Sequence, residues 1–170
     1  QDRWDKSGIR AFAEEITEQD LDGTVFVISP DFLSPAFAYY VREHDVDLIG
    51  FARQNDPEIF SPLGYEGHWN DPNALSRLTS VIQRRRDAGA RRLVLVRSRC
   101  GTPSVDKGKL RYSLANEVAD IISEAYPETA RRYYPGFSEC VLATDHCLQG
   151  CDSVPGTAER PTEAPIRLVR

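Results

Sequence analysis

The chain contains no methionine, not even at its first position, which is Gln1. We expect from this a processed or trimmed piece of a longer protein, so missing targeting signals say nothing about the parent. No apolar run approaches the ~20 residues that a membrane-spanning helix needs, and no signal peptide is recognisable. Basic residues do not dominate: 21 Lys and Arg stand against 26 Asp and Glu, a net charge of -5. Binding to a phosphate backbone needs a basic surface, so no nucleic acid is expected among the partners. The clusters Arg84-Arg85-Arg86, Arg91-Arg92 and Arg131-Arg132 are short and diluted by acids. They are expected at solvated helix ends, where basic side chains complement the negative pole of the helix.

Both standard phosphate cradles are missing as well. The first apolar run ends in Ser29-Pro30-Asp31, with no Gly-x-Gly-x-x-Gly after it, and the stretch 101–109 carries no Gly-x-x-x-x-Gly-Lys-Ser/Thr. Nucleotide and dinucleotide binding are therefore not expected, and no cofactor is. A serine hydrolase would have to draw on Ser29 or Ser34, on His44, His68 or His146, and on Asp31 or Asp71. The Gly-x-Ser-x-Gly elbow that would expose such a serine is absent, and no catalytic residue is assigned.

What is present is an ordinary globular composition, 28% charged and 41% hydrophobic over 170 residues, enough for one domain with a sizeable core. Strands are expected at 24–29, 46–51, 92–97 and 139–144, the first being the purest apolar run. Helices are expected at 9–16, 35–42, 73–88 and 110–125, the third stopped by Gly89. Tyr133-Tyr134-Pro135-Gly136-Phe137 reads as a turn, and 166–169 as an edge strand. Alternation of this kind predicts an α/β fold: a three-layer, Rossmann-like domain with a mostly parallel sheet of four or five strands, covered by helices on both faces. The domain is expected over 1–145 with a long loop at 52–72, followed by a Cys-containing tail over 146–170.

In open α/β sheets, ligands sit at the loops after the strands. That points to a rim made by Asp31, His68 and Ser98, with Trp69 beside it. The run Glu66-Gly67-His68-Trp69-Asn70-Asp71 gathers an imidazole, an indole and polar groups in one loop, as small-ligand and sugar sites do; anchoring of the loop by Trp69 is the simpler role. His44-Asp45-x-Asp47 has metal-ligand residue types but spans a helix end and a strand start, so a solvated turn is expected. No metal is assigned.

The cysteines are Cys100, Cys140, Cys147 and Cys151. Cys-x3-Cys with one adjacent histidine is a poor zinc pattern, whereas an even count fits one or two disulfides in an oxidising compartment. If all strands are parallel, Cys100, Cys147 and Cys151 share one sheet edge. Cys140 then begins the last strand, roughly 20 Å away at about 3.3 Å per residue. Bridged α-carbons approach to about 4.4–6.8 Å, so one disulfide among Cys100, Cys147 and Cys151 is expected, with Cys140 the cysteine least suited to join them.

Several of these features together resemble a known family. Trp4 followed by the helix at 9–16, the strand and turn VFVISPDFLSP, and Ala38-Tyr39-Tyr40 are three of them. Arg92-Leu93-Val94-Leu95-Val96, and Tyr134-Pro135-Gly136-Phe137 ahead of Val141, complete the pattern. The sequence looks like the soluble C-terminal portion of bacterial membrane glycosyltransferases of the dolichyl-phosphate-mannose–protein mannosyltransferase (GT-C) type. The resemblance covers about 1–145. It implies a parent enzyme that uses a polyprenyl-phosphate sugar donor and keeps its catalytic carboxylate in a loop between early membrane helices, outside this chain. The chain itself would be an extracytoplasmic, membrane-tethered, non-catalytic domain. It would sit against the membrane-embedded part of the parent and shape or gate the side on which a glycan or protein acceptor binds. The alternative is a free-standing small α/β enzyme or ligand-binding domain with its site at the strand ends.

Overall fold

The protein was analysed as a computed structural model, which describes residues 8–16, 18–29, 33–51, 71–98, 106–136 and 140–151. The first strand, β1 (Thr24–Ser29), is buried along its whole length because its alternate side chains serve two cores. Val25 and Val27 belong to one cluster, Phe26 and Ile28 to the other. β2 (Asp47–Gly50) and β3 (Arg92–Ser98) flank it, both parallel to it. Two further strands, β4 (Glu128–Tyr134) and β5 (Val141–Cys147), complete a five-stranded sheet of order β2-β1-β3-β5-β4.

The helices are α1 (Ile9–Glu15), the single turn α2 (Glu18–Leu21), α3 (Ser34–Tyr40), α4 (Ala74–Asp87) and α5 (Asp106–Ala125). α4 and α5 supply Leu78, Ile82, Val118 and Ile122 to the cluster that contains Val25, Val27, Leu93 and Leu95. α1 and α3 supply Ile9, Phe12 and Phe37 to the cluster that contains Phe26, Ile28, Val94 and Val96. Phe12 anchors this second cluster. Its ring stacks on Phe37 at 5.5 Å and meets Tyr134 edge-on at 5.4 Å. Each such buried side chain stabilises the fold by about 1.5–3 kcal/mol relative to an exposed one.

The ends of α4 follow from its sequence. Asp71 Oδ1 accepts the Asn73 amide at 2.8 Å ahead of the first turn. Buried Ala74, Leu78 and Ile82 recur every fourth residue, and Arg84, Arg85 and Arg86 fill the last turn as expected. Ala90 N–H then donates to Arg85 O at 3.0 Å and Gly89 N–H to Arg86 O at 2.9 Å. That is the paired bonding of a Schellman stop, and it requires the positive φ of 109° at Gly89.

Three expectations need correction. First, the last strand is antiparallel to β3, with Ser98 opposite Val141 and Arg92 opposite Cys147. The cause is β4, a strand over residues expected to form a helix end and a turn. ETARRYY is largely exposed, with Tyr134 as its one buried residue, so it has no apolar period to announce it. After α5 the chain crosses to the outer edge, forms β4, and returns through the short connection 135–140. A connection that short can join only antiparallel neighbours. The sheet is thus open and mixed, and β5 continues past Thr144 to Cys147. The strand expected at 166–169 lies outside the described residues.

Second, two arginine clusters lie on strands rather than at helix ends. Arg92 opens β3 and bonds Asp20 at 3.0 Å and Asp145 at 2.7 Å. Arg132 lies on β4 and takes the other oxygen of Asp145 at 3.0 Å. Third, Cys140 is disulfide-bonded. The antiparallel return puts the start of β5 beside the end of β3, the end from which the chain runs on toward Cys100, instead of a strand length away. The second bridge, Cys147–Cys151, has its α-carbons 5.8 Å apart and is the expected disulfide within the set Cys100, Cys147 and Cys151. No described cysteine is free.

Candidate functional site

β1 sits between β2 and β3, so the crossover from β1 to β2 and the one from β2 to β3 run in opposite directions. In open α/β sheets with such a reversal, ligands bind at the carboxyl ends of the strands, here those of β1 and β3. Ser29 ends β1 and is paired in register with Arg97, next to the end of β3. By strand alternation Ser29 and Arg97 face the side of Val25 and Leu93, while Ser98 faces the side of Val94 and Val96. Ser34 opens α3 just beyond β1, with Pro35 in the first turn as expected. Ser29, Ser34 and Ser98 are 0%, 2% and 5% exposed, and no protein atom hydrogen-bonds any of the three hydroxyls. Buried hydroxyls are ordinarily bonded, and these three lie at or just beyond the carboxyl ends of β1 and β3.

Of the expected rim, Ser98 is the last residue of β3 rather than the first of the loop beyond it. Asp31, His68 and Trp69 lie outside the described residues. The described histidines do not reach the serines. His146 pairs with Leu93 at the start of β3, whereas Ser98 pairs with Val141 at its end. Five residues of strand separate the two, about 16 Å. His44 is exposed in the turn that leads from α3 into β2, near the amino ends of the strands. Asp71 is held by Arg77 and by the Asn73 amide. No nucleophile, base and carboxylate converge among the described residues.

His146 is wholly buried. Its Nδ1 lies 3.1 Å from Tyr126 O, and since a carbonyl can only accept, Nδ1 carries the proton. Nε2 is left as an acceptor with no partner, and burial depresses the ring's pKa below its ordinary value. The imidazole is neutral and structural. Tyr134 behaves in the opposite sense: burial, and then its 2.6 Å hydrogen bond to Glu15, push its phenol well above the usual range.

The metal-like residues His44, Asp45 and Asp47 form no cluster. Asp47 is taken up by Arg85, whose Nε lies 2.9 Å and 2.8 Å from its two oxygens, and the other two are exposed. Among the described residues no group of His, Cys, Asp and Glu could hold a metal ion. Among them, too, no helix is long and apolar enough to cross a membrane.

A cleft of about 540 Å³ opens at the amino ends of β1 and β2, between Thr24, Asp45, Asp47, Arg85, Gly89 and Ala90. Its walls come from a strand start, a turn and a helix stop far apart in the chain, and only the glycine stop left a local signal.

Comparison with protein-family models, with curated proteins and with solved structures gives no match.

Proposed function

We propose that this chain is the extracytoplasmic, non-catalytic domain of a membrane glycosyltransferase that uses a polyprenyl-phosphate sugar donor, and that it shapes or gates the acceptor side. In this reading its partners are the membrane-embedded part of the parent protein and a glycan or protein acceptor, and its two cores flank the sheet as a three-layer, Rossmann-like domain. Disulfide bonding carries the proposal: Cys140, Cys147 and Cys151 are all bridged, and such bridges persist in oxidising compartments. The family resemblance of 1–145 supplies the chemistry. Counting thiols in protein taken from its native source, unfolded under non-reducing conditions, tests the location. No reactive thiol is expected; four would remove the extracytoplasmic assignment. Deleting the domain from the parent should leave donor use intact and change transfer to acceptor, while the isolated chain should transfer no sugar from a lipid-linked donor. Turnover by the isolated chain would end the accessory-domain reading.

A ligand-binding domain is the second reading, favoured by the orphaned hydroxyls of Ser29, Ser34 and Ser98. Its site would take in Asp31, His68, Trp69 and Ser98. Calorimetric titration with soluble oligosaccharides tests it: saturable binding abolished by Ser98→Ala supports a site at the strand ends, and no heat removes it. NAD and ATP serve as controls and should not bind.

A further inference from the structure

The end of β5 is a junction for both helices on one face of the sheet. His146 Nδ1 donates to Tyr126 O, and Cys147 N–H to Pro127 O at 3.0 Å, which fixes the chain leaving α5. Leu148 N–H donates to Arg91 O at 2.8 Å, and its side chain, 5% exposed, joins the core with Leu78 and Ile82. Gln149 Nε2 donates to Arg86 O at 3.2 Å and Ala90 O at 2.9 Å, which caps α4 from outside. These contacts come from consecutive residues, and the Cys147–Cys151 bridge closes a ring over Leu148 and Gln149. The stop just past α4, Ala88 to Ala90, forms one wall of the 540 Å³ cleft.

The described cysteines differ in access. Cys147 and Cys151 are half-buried, whereas Cys140 is 1% exposed. Thiol–disulfide exchange requires a thiolate to reach a sulfur; both sulfurs of Cys147–Cys151 can be reached, whereas the Cys140 sulfur is closed off. We propose that Cys147–Cys151 is a reducible clasp: opening it releases the turn 148–150 from α4 and loosens the cleft wall at Ala88–Ala90, while the bridge at Cys140 stays closed. The reductant is a dithiol. One of its thiolates attacks a sulfur of the bridge, forms a mixed disulfide and expels the other cysteine as thiolate. Its second thiol then displaces the protein sulfur. Two electrons and two protons pass to Cys147 and Cys151, and the dithiol leaves as a cyclic disulfide. Closing a ring this short restrains the chain by roughly 20- to 30-fold on the chain-entropy relation, which sets the scale of the effect. The inference does not depend on the glycosyltransferase reading.

The test is a titration of the oxidised full chain with dithiothreitol under native conditions, with thiols trapped by N-ethylmaleimide, mapped on peptides, and amide hydrogen exchange followed in parallel. Label should appear at Cys147 and Cys151 before any appears at Cys140. Exchange at Ala88, Gly89, Ala90 and Leu148 should speed up by about tenfold or more, with β1 and β3 unchanged. A Cys147→Ser/Cys151→Ser variant should show the same local exchange without reductant. Label at Cys140 first or simultaneously, no opening under native conditions, or unchanged exchange at 88–90 after reduction would each overturn the proposal. The titration of the unmutated chain decides even if the variant fails to fold.

Discussion

His146 and Thr144 occupy the same face of β5, and each leaves a buried polar atom without a protein partner: Nε2 on the one, Oγ1 on the other. They call for opposite experiments. His146 is held neutral by burial; Tyr126 O, Glu128 and Asp145 favour the charged form and Arg97 opposes it. Because the folded pKa is depressed, the unfolded chain binds the extra proton between the folded value and about 6.5. Stability contributed by this group is therefore complete above pH 6.5 and lost as pH falls through that window. Denaturant unfolding from pH 7.5 down to pH 5 should show the decline, and His146→Asn, which keeps a donor toward Tyr126 O, should flatten it. An unchanged slope would place the acid sensitivity elsewhere. Thr144→Val removes a hydroxyl that gains nothing and keeps the shape, so the variant should be as stable as the parent or up to about 1 kcal/mol more stable. A loss above that range would mean the hydroxyl has a partner in solution.

At the scale of elements, two joints hold the helical layer of α1 to α3 and the mixed half of the sheet together. Gly8 precedes α1 and lies against the end of β4, where a Cβ would run into the carbonyl of Tyr134. Gly8→Ala should therefore push α1 off β4, loosen the Phe12–Tyr134 contact and cost about 1–3 kcal/mol. The check is a lowered denaturant midpoint with unchanged m. The second joint is Asp145, 7% exposed, which takes Arg92 on one oxygen and Arg132 on the other, while Arg92 also holds Asp20 of α2. Asp145→Asn leaves two half-buried guanidiniums facing each other across a neutral amide. Thermal unfolding should register a loss of about 1–3 kcal/mol, more than the ~1 kcal/mol ceiling of a solvated pair. A loss below ~0.5 kcal/mol would show that solvent screens the network.

For the molecule as a whole, the topology predicts an order of protection. β1, β3 and β5 each have strand neighbours on both sides, whereas β2 and β4 are edges. β4 is in addition mostly exposed. Native-state hydrogen exchange should therefore find the slowest amides in β1 and β3, the fastest among strands in β4, and β5 closer to the former. Slowest exchange in β4 would indicate that its outer edge is covered in solution.

The sequence determined the elements whose burial is periodic. β1, β3, α4 and the buried half of α5 could be read because each puts apolar side chains at a fixed repeat onto a core, and Gly89 marked where α4 stops. β3 runs one residue past its expected end, to Ser98, since a buried strand shows only roughly where it stops. The tertiary structure alone decided what such a repeat cannot carry. β4 is a strand because β5 pairs with it, not because its own residues are apolar. That pairing reverses β5, and the reversal brings the start of β5 beside the end of β3, so that Cys140 is bridged where a parallel strand would have left it alone. Strand direction and edge pairing are fixed by contacts between distant residues and by the length of the connection. Neither leaves a period in the chain.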